Sequence, residues 1–133
     1  MSSLLRRESA IIPMTPAADH SALRGYFVEV SSGKASVCNA ITDIPLGVIL
    51  EGAPTTGQDT IAVCGGGAGV VAVKCAASAG TINIGTYLCL STDGTVIAEP
   101  ATDRVRVARA LEAGANGALI DAVLIDPVFI DVT

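Results

Sequence analysis

The chain has 133 residues and a mass of 13.3 kDa, a length that predicts a single domain. Half of its residues are hydrophobic and 16% are charged, which excludes a chain that is disordered over most of its length. Eight basic against thirteen acidic residues, with two Tyr, two Phe and no Trp, argue against a nucleic-acid partner, because such proteins use basic surfaces or aromatic stacking platforms.

Residues 1–22 are predicted to form an N-terminal arm that is extended or becomes ordered on a partner. They contain Pro13 and Pro16 and show neither a helical nor an alternating apolar period. The first seven residues become charged before any apolar stretch develops, so they do not read as a secretory signal. The longest stretch of low polarity, residues 61–73, is too short to span a bilayer, and we expect no membrane segment.

From residue 23 onward, short strands alternate with turns, and no window of ten or more residues has a convincing helical stripe. The turns include residues 31–34 and the Asp93–Gly94 pair, which is a strong hairpin signal. This pattern predicts an all-β fold, a compact barrel or sandwich, formed by one domain over residues 23–133. The predicted strands are residues 26–30, 44–51, 60–63, 70–73, 87–90, 104–107, 118–125 and 128–132.

An internal repeat divides the predicted domain into two halves. Residues 25–32 (GYFVEVSS) align with residues 85–92 (GTYLCLST). After one extra residue, Asp93, the alignment continues as far as residues 50–51 against 111–112, which read Leu-Glu in both copies. Two copies are too few for a solenoid, and they predict a pseudo-symmetric β domain built from two similar halves.

The sequence contains no clear catalytic, cofactor-binding or metal-binding motif. The four cysteines lack a C-x-x-C pair, and we expect them to be small buried hydrophobic residues. The glycine-rich residues 65–69 are not followed by the Lys-Ser/Thr of a phosphate loop, and they predict a turn or a close subunit contact. Glu51 and Glu112 occupy matching places and are the only candidates for acid–base chemistry, but each lies at a strand end before a glycine turn, an ordinary solvated position, with no further catalytic group near it in sequence.

Basic residues cluster outside the arm at one place. Arg104 and Arg106 share a face of the strand at residues 104–107, and Arg109 follows. A solvated edge that discourages aggregation is one interpretation, and a contact with an acidic protein surface is the other.

The order of parts over residues 46–125 resembles the small head-stabilising, or decoration, proteins of tailed bacteriophage capsids. The matching parts read GVILEGA at residues 47–53, TIAV at 60–63, VVAVKCA at 70–76 and DGTV at 93–96. The second Gly-Val-Ala-like strand reads VARALE at residues 107–112. It departs from the family pattern in having Ala108 and Arg109 where Gly and Val are usual.

This resemblance implies a structural virion protein without enzyme activity or cofactor. It would be made in the host cytoplasm, assemble as a homo-oligomer (a trimer in the family), and stabilise the outer capsid surface by binding the major capsid protein. Arg104 and Arg106 would be possible surface contacts of the β domain. The candidate capsid-binding residues in the arm are Leu4, Leu5, Arg6, Arg7, Ile11 and Ile12.

Three other functions stay open from the sequence. The first is a β-rich adhesion or carbohydrate-binding module displayed on a particle, which the scarcity of aromatic residues argues against. The second is a small enzyme that uses Glu51 or Glu112. The third is a different minor capsid component, such as the base of a fibre.

Overall fold

The computed structural model describes residues 10–99 and 103–130, which form two five-stranded antiparallel sheets. The strand order is β1-β5-β4-β2-β3 in the first sheet and β6-β10-β9-β7-β8 in the second. The predicted all-β sandwich is confirmed, and the described residues contain no helix able to cross a membrane. The strands are β1 (Ile11–Met14), β2 (Phe27–Ser31), β3 (Lys34–Val37), β4 (Gly47–Glu51), β5 (Asp59–Val63), β6 (Val70–Lys74), β7 (Tyr87–Leu90), β8 (Val96–Ala98), β9 (Arg104–Ala110) and β10 (Leu119–Ile130).

The two sheets have the same strand order and equivalent residue pairs in their ladders, which confirms the prediction of two similar halves. Residues 10–63 are called the first half and residues 70–130 the second half. Strands β1 to β5 have the same places as β6 to β10, and the pair Val28–Gly47 has the place of the pair Leu88–Ala108. The four ladders of each sheet keep this correspondence at offsets of 59 to 61 residues. A residue at the same place in the other half is called a counterpart below.

Each sheet curls until its two outer strands meet. Pro16, just after β1, forms a parallel bridge with Ala35 of β3, and Cys75, just after β6, forms the same bridge with Val96 of β8. The backbone confirms the first closure, because the N–H of Ala35 donates to the carbonyl of Thr15 at 2.9 Å. Each half therefore wraps an apolar interior of its own.

Strand β1 lies within the predicted arm and was not expected from the sequence. It is an outer strand that pairs only with β5 among the named strands, and Pro13 is accommodated there because an outer strand tolerates a missing N–H donor. Ile11 keeps 41% of its surface exposed, whereas Ile12 packs on the interior of the first half. The other arm candidates, residues 4–7, lie outside the described residues.

Strands β3 and β8 are not among the predicted strands, and several boundaries differ, two of them with a clear physical reason. Strand β4 begins at Gly47 rather than at residue 44, and Pro45 precedes it. Strand β10 runs through residues 126–127 without a break, although its pairing with β9 shifts between Leu124 and Val128. Pro127 has no N–H to donate, which explains why the ladder is irregular at this point.

One apolar core joins the halves. Phe27, Val48 and Ala62, all fully buried, extend from the first sheet into the cluster that fills the second half. A smaller cluster, centred on Val28 and Ile49, stays within the first half. The domain thus consists of two curled sheets, and one side of the first sheet packs against the second sheet.

Candidate functional site

The two halves contact each other through surfaces that are not equivalent in the repeat. A side chain at Gly94 would lie 2.7 Å from Val37 Cγ1 and 3.0 Å from the carbonyl oxygen of Phe27, so the second half's hairpin turn packs tightly on the first half. Gly94 also has a φ of 81°, which favours glycine. Three backbone hydrogen bonds of the described residues cross between the halves. They are Phe27 N to Gly94 O at 2.8 Å, Lys74 N to Gly25 O at 3.0 Å, and Val105 N to Ile41 O at 3.1 Å.

The second half carries a cluster of arginines around one tyrosine, which we call the arginine face. The Arg106 guanidinium lies 4.1 Å from the centre of the Tyr87 ring, and that of Arg109 lies 5.4 Å away. Arg106 also donates twice to Glu99 Oε1, at 2.9 Å from Nε and 2.5 Å from Nη2. Arg109 Nε donates to the carbonyl of Gly85 at 3.0 Å. The face is therefore preorganised by cation–π contacts and an ion pair.

The two arginines singled out in the sequence take part unequally in this face. Arg104 and Arg106 are both half-buried on β9, which lies between β10 and β7 and is not an edge strand. Edge protection therefore does not explain them. Arg104 Nη1 donates to the carbonyl of Leu90 at 3.2 Å, and its buried Nε has no hydrogen-bond partner among the residues that the structure describes. Arg106 is tied to Glu99 and Tyr87, and these partners were not identified from the sequence.

Glu51 and Glu112, the candidate acid–base pair, lie in separate sheets. Glu51 is exposed at the end of β4. Glu112 follows β9, where its Oε1 accepts the backbone N–H of Asp121 at 2.9 Å. No pocket opens beside either carboxylate within residues 10–99 and 103–130. The structure thus does not bring the two groups together.

One cluster has the ligand types of a metal site. Ligand atoms of Glu29, Cys38 and Asp43 lie within 4.8 Å of one another. A hydrogen bond to Asp43 raises the pKa of Glu29, and Asp43, which also accepts the N–H groups of Asn39 and Ala40, has a lowered pKa. Burial raises the pKa of the Cys38 thiol far above its usual range. A thiolate ligand is thereby disfavoured, and the cluster is best described as two hydrogen-bonded carboxyl groups beside a buried thiol.

The cysteines are free thiols. Cys38, Cys75 and Cys89 are buried, and Cys64 is half-buried. Burial raises the pKa of Cys64 to about 12 and that of Cys89 to about 11. Thiols protonated at neutral pH are poor nucleophiles, so these side chains act as small apolar groups.

A buried polar pair was missed by the sequence analysis. His20 Nδ1 lies 2.5 Å from Asp59 Oδ2, and the two residues are 2% and 0% exposed. Asp59 Oδ1 accepts the N–H of Ala53 at 2.9 Å. The pair fastens the segment after β1 to the start of β5, 39 residues away. Its role is structural, because both groups are closed off from solvent.

Comparisons with known proteins show that the fold is shared with a solved structure. No protein-family model matches the chain, and no curated protein matches it. Among solved structures, it is similar to the N base of the head fiber gp8.5 of bacteriophage phi29, with a TM-score of 0.54 and 18% sequence identity. The similarity covers 86% of this chain and 92% of that chain, so it extends over both halves. At this identity it establishes a shared fold and nothing finer.

Proposed function

We propose that this chain is a structural protein of a bacteriophage head, carried on the outer surface and bound to the lattice of the major capsid protein. The observation that carries the proposal is the fold shared with the phi29 head-fiber base over nearly the whole length of both chains. The order of strands and turns that resembles capsid decoration proteins supports it independently. A homotrimer, the usual state in that family, belongs to the same proposal.

The surface of the chain suits a binding role. The arginine face places two guanidinium groups over Tyr87, an arrangement that recognises acidic or aromatic groups on another protein. Many copies on a symmetric lattice would convert weak single contacts into strong overall attachment. We assign the capsid contact to residues 1–12 of the arm and, in copies whose arginine face is not covered by a neighbouring copy, to that face.

The proposal is tested by adding purified protein to phage heads that lack it and sedimenting the heads. We expect saturable binding at a fixed number of copies per head, with bound heads more resistant to heat or osmotic shock. Heads that bind none of the protein would refute the proposal.

The same titration separates a decoration protein from the base of a fibre. A decoration protein occupies every equivalent lattice position and raises head stability. A fibre base also saturates, but at fewer sites and without that gain in stability. The second result would keep the chain on the phage head and withdraw the stabilising role.

Two variants locate the contact. Removing residues 1–9 tests the arm while leaving residues 10–130 intact, and Arg106→Glu tests the arginine face. Each is expected to weaken head binding by about tenfold or more, the loss that follows from removing a central contact. Arg24→Glu, at an exposed arginine in the loop before β2, is the matched control and should bind normally.

A further inference from the structure

We propose that a second copy of this chain docks head-to-tail on the first. In this contact, the second half of one molecule binds the first half of its neighbour. The contact between the two molecules thus has the same form as the contact between the two halves of a single molecule. The inference is argued from the internal repeat and supplies a contact for the homo-oligomer of the proposed function; a monomer that still binds phage heads would overturn this inference and leave the capsid role standing.

The contact between the halves is not reciprocal. Gly94 of the second half is wedged against the first half, whereas a side chain at its counterpart Gly33 would meet nothing within 4 Å. The carbonyl of Gly25 accepts a hydrogen bond from Lys74 of the other half, whereas that of its counterpart Gly85 is bonded within its own half. The first half thus makes the contact with the surface around Gly25, and the second half makes it with the surface around Gly94. The equivalent surfaces, around Gly33 of the first half and Gly85 of the second, do not take part in this contact.

The unmatched surface of the first half is apolar. Val30 and Ile44 are 55% and 62% exposed. Val30 has the counterpart Leu90, and Ile44 aligns in sequence with Val105; Leu90 and Val105 are both 0% exposed within the shared core. Val105 also donates its N–H to the first half, so its burial belongs to the contact. We call the surface around Val30, Gly33 and Ile44 the open end.

The unmatched surface of the second half is the arginine face. Tyr87 is the counterpart of Phe27, and Leu111, 44% exposed, is the counterpart of Leu50, which packs against the shared core. Thus Tyr87, which is half-buried, corresponds to Phe27, which is 0% exposed, and the exposed Leu111 corresponds to the half-buried Leu50. A neighbour's open end would cover Tyr87 and Leu111 in the same way.

Arg109 is the main difference between the two contacts. It stands where the first half has Val48, and it donates to the Gly85 carbonyl. In the repeated contact, that carbonyl would instead accept the N–H of the neighbour's Thr15, the counterpart of Lys74. Arg109 therefore covers a bonding position that assembly would use, and replacing it with valine should strengthen the contact.

The mass of the assembly is measured by light scattering over a range of protein concentrations. We expect wild-type protein to associate, and both a closed ring and an open chain of copies support a head-to-tail contact. Ile44→Asp, at the open end, and Leu111→Asp, on the arginine face, should each weaken association by about tenfold or more, because each buries a charge in the contact. Arg109→Val should associate more tightly than wild type.

A mixture of the two damaged variants gives the sharpest test. Each variant alone lacks one of the two required surfaces, yet the pair still has one intact open end and one intact arginine face. A head-to-tail contact therefore predicts that mixing yields a dimer and nothing larger. Val70→Asp is the control, because Val70 and its counterpart Ile11 are 58% and 41% exposed and so lie outside the contact in both halves.

The outcomes are decisive once circular dichroism shows that each variant is folded. A monomeric wild type at every concentration overturns the proposal, and so does normal association of Ile44→Asp or Leu111→Asp. Two defective variants that do not rescue each other would indicate a two-fold contact and would also overturn it.

Discussion

The buried pair of His20 and Asp59 gives the most sharply defined prediction. Replacing His20 with valine leaves the Asp59 carboxylate, 0% exposed, without its imidazole partner. Among the described residues, the Ala53 N–H, at 2.9 Å, is the one hydrogen-bond donor that remains to it. Leaving a buried ionisable group without its hydrogen-bonded partner costs about 3–5 kcal/mol of unfolding free energy.

Replacing both residues should cost less than replacing one. In His20→Val/Asp59→Val, no carboxylate remains, and the combined side-chain size is nearly unchanged. The remaining loss is the acceptor for the Ala53 N–H, worth about 1–3 kcal/mol. The second half supports this reasoning, because Asp59 has the apolar counterpart Ile120, which is 2% exposed. The double variant should therefore be more stable than the single variant His20→Val.

The measurement is equilibrium unfolding in urea, followed by far-ultraviolet circular dichroism, for wild type, both single variants and the double variant. Arg24→Ala, at an exposed position in the same loop, is the control and should change the unfolding free energy by less than about 0.5 kcal/mol. A loss below about 1 kcal/mol for His20→Val, or a double variant equal to the sum of the singles, would refute the reasoning.

Three further predictions follow from other contacts. Gly94→Ala should destabilise the fold by at least about 1 kcal/mol more than Gly33→Ala in the same urea assay, because both have positive φ but only Gly94 is wedged between the halves; equal losses would contradict this. Glu29→Gln should stabilise the protein at pH 7 and have little effect near pH 4, because a raised pKa favours folding at low pH and that contribution is lost as pH rises; an equal effect at both pH values would contradict it. Cys64, with its pKa raised to about 12, should react slowly with a thiol reagent at pH 8 until urea unfolds the chain, and rapid labelling of native protein would contradict this.

The internal repeat shows how far the sequence alone could go. The alignment of residues 25–32 with 85–92 placed β2 and β7 correctly, because strand residues and glycine turns carry a local signal. The match between β1 and β6 was missed, since Pro13 argues against a strand unless the chain is known to lie at the side of a sheet. The pairing of β1 with a strand far away in sequence shows that β1 lies at the edge of its sheet, and no local sequence pattern predicts this pairing.

The candidate site was predicted less completely than the fold. Arg104 and Arg106 were recognised as sharing a face, but Glu99 and Tyr87 reach Arg106 only through the strand pairing of β7 to β9. Arg109 did leave a signal, because it departs from the valine expected in that strand. The His20–Asp59 pair left none, since a contact across 39 residues depends on the closed sheet.

The separation of the ladders has a consequence for synthesis on the ribosome. No ladder of the described residues joins a strand of the first half to one of the second. A nascent chain can therefore complete its first sheet once β5 has emerged, before the second sheet is made. Until the rest arrives, Phe27, Val48 and Ala62 have no second half to cover them. The same side chains that later unite the domain are thus, for a few seconds, the ones that a chaperone would recognise.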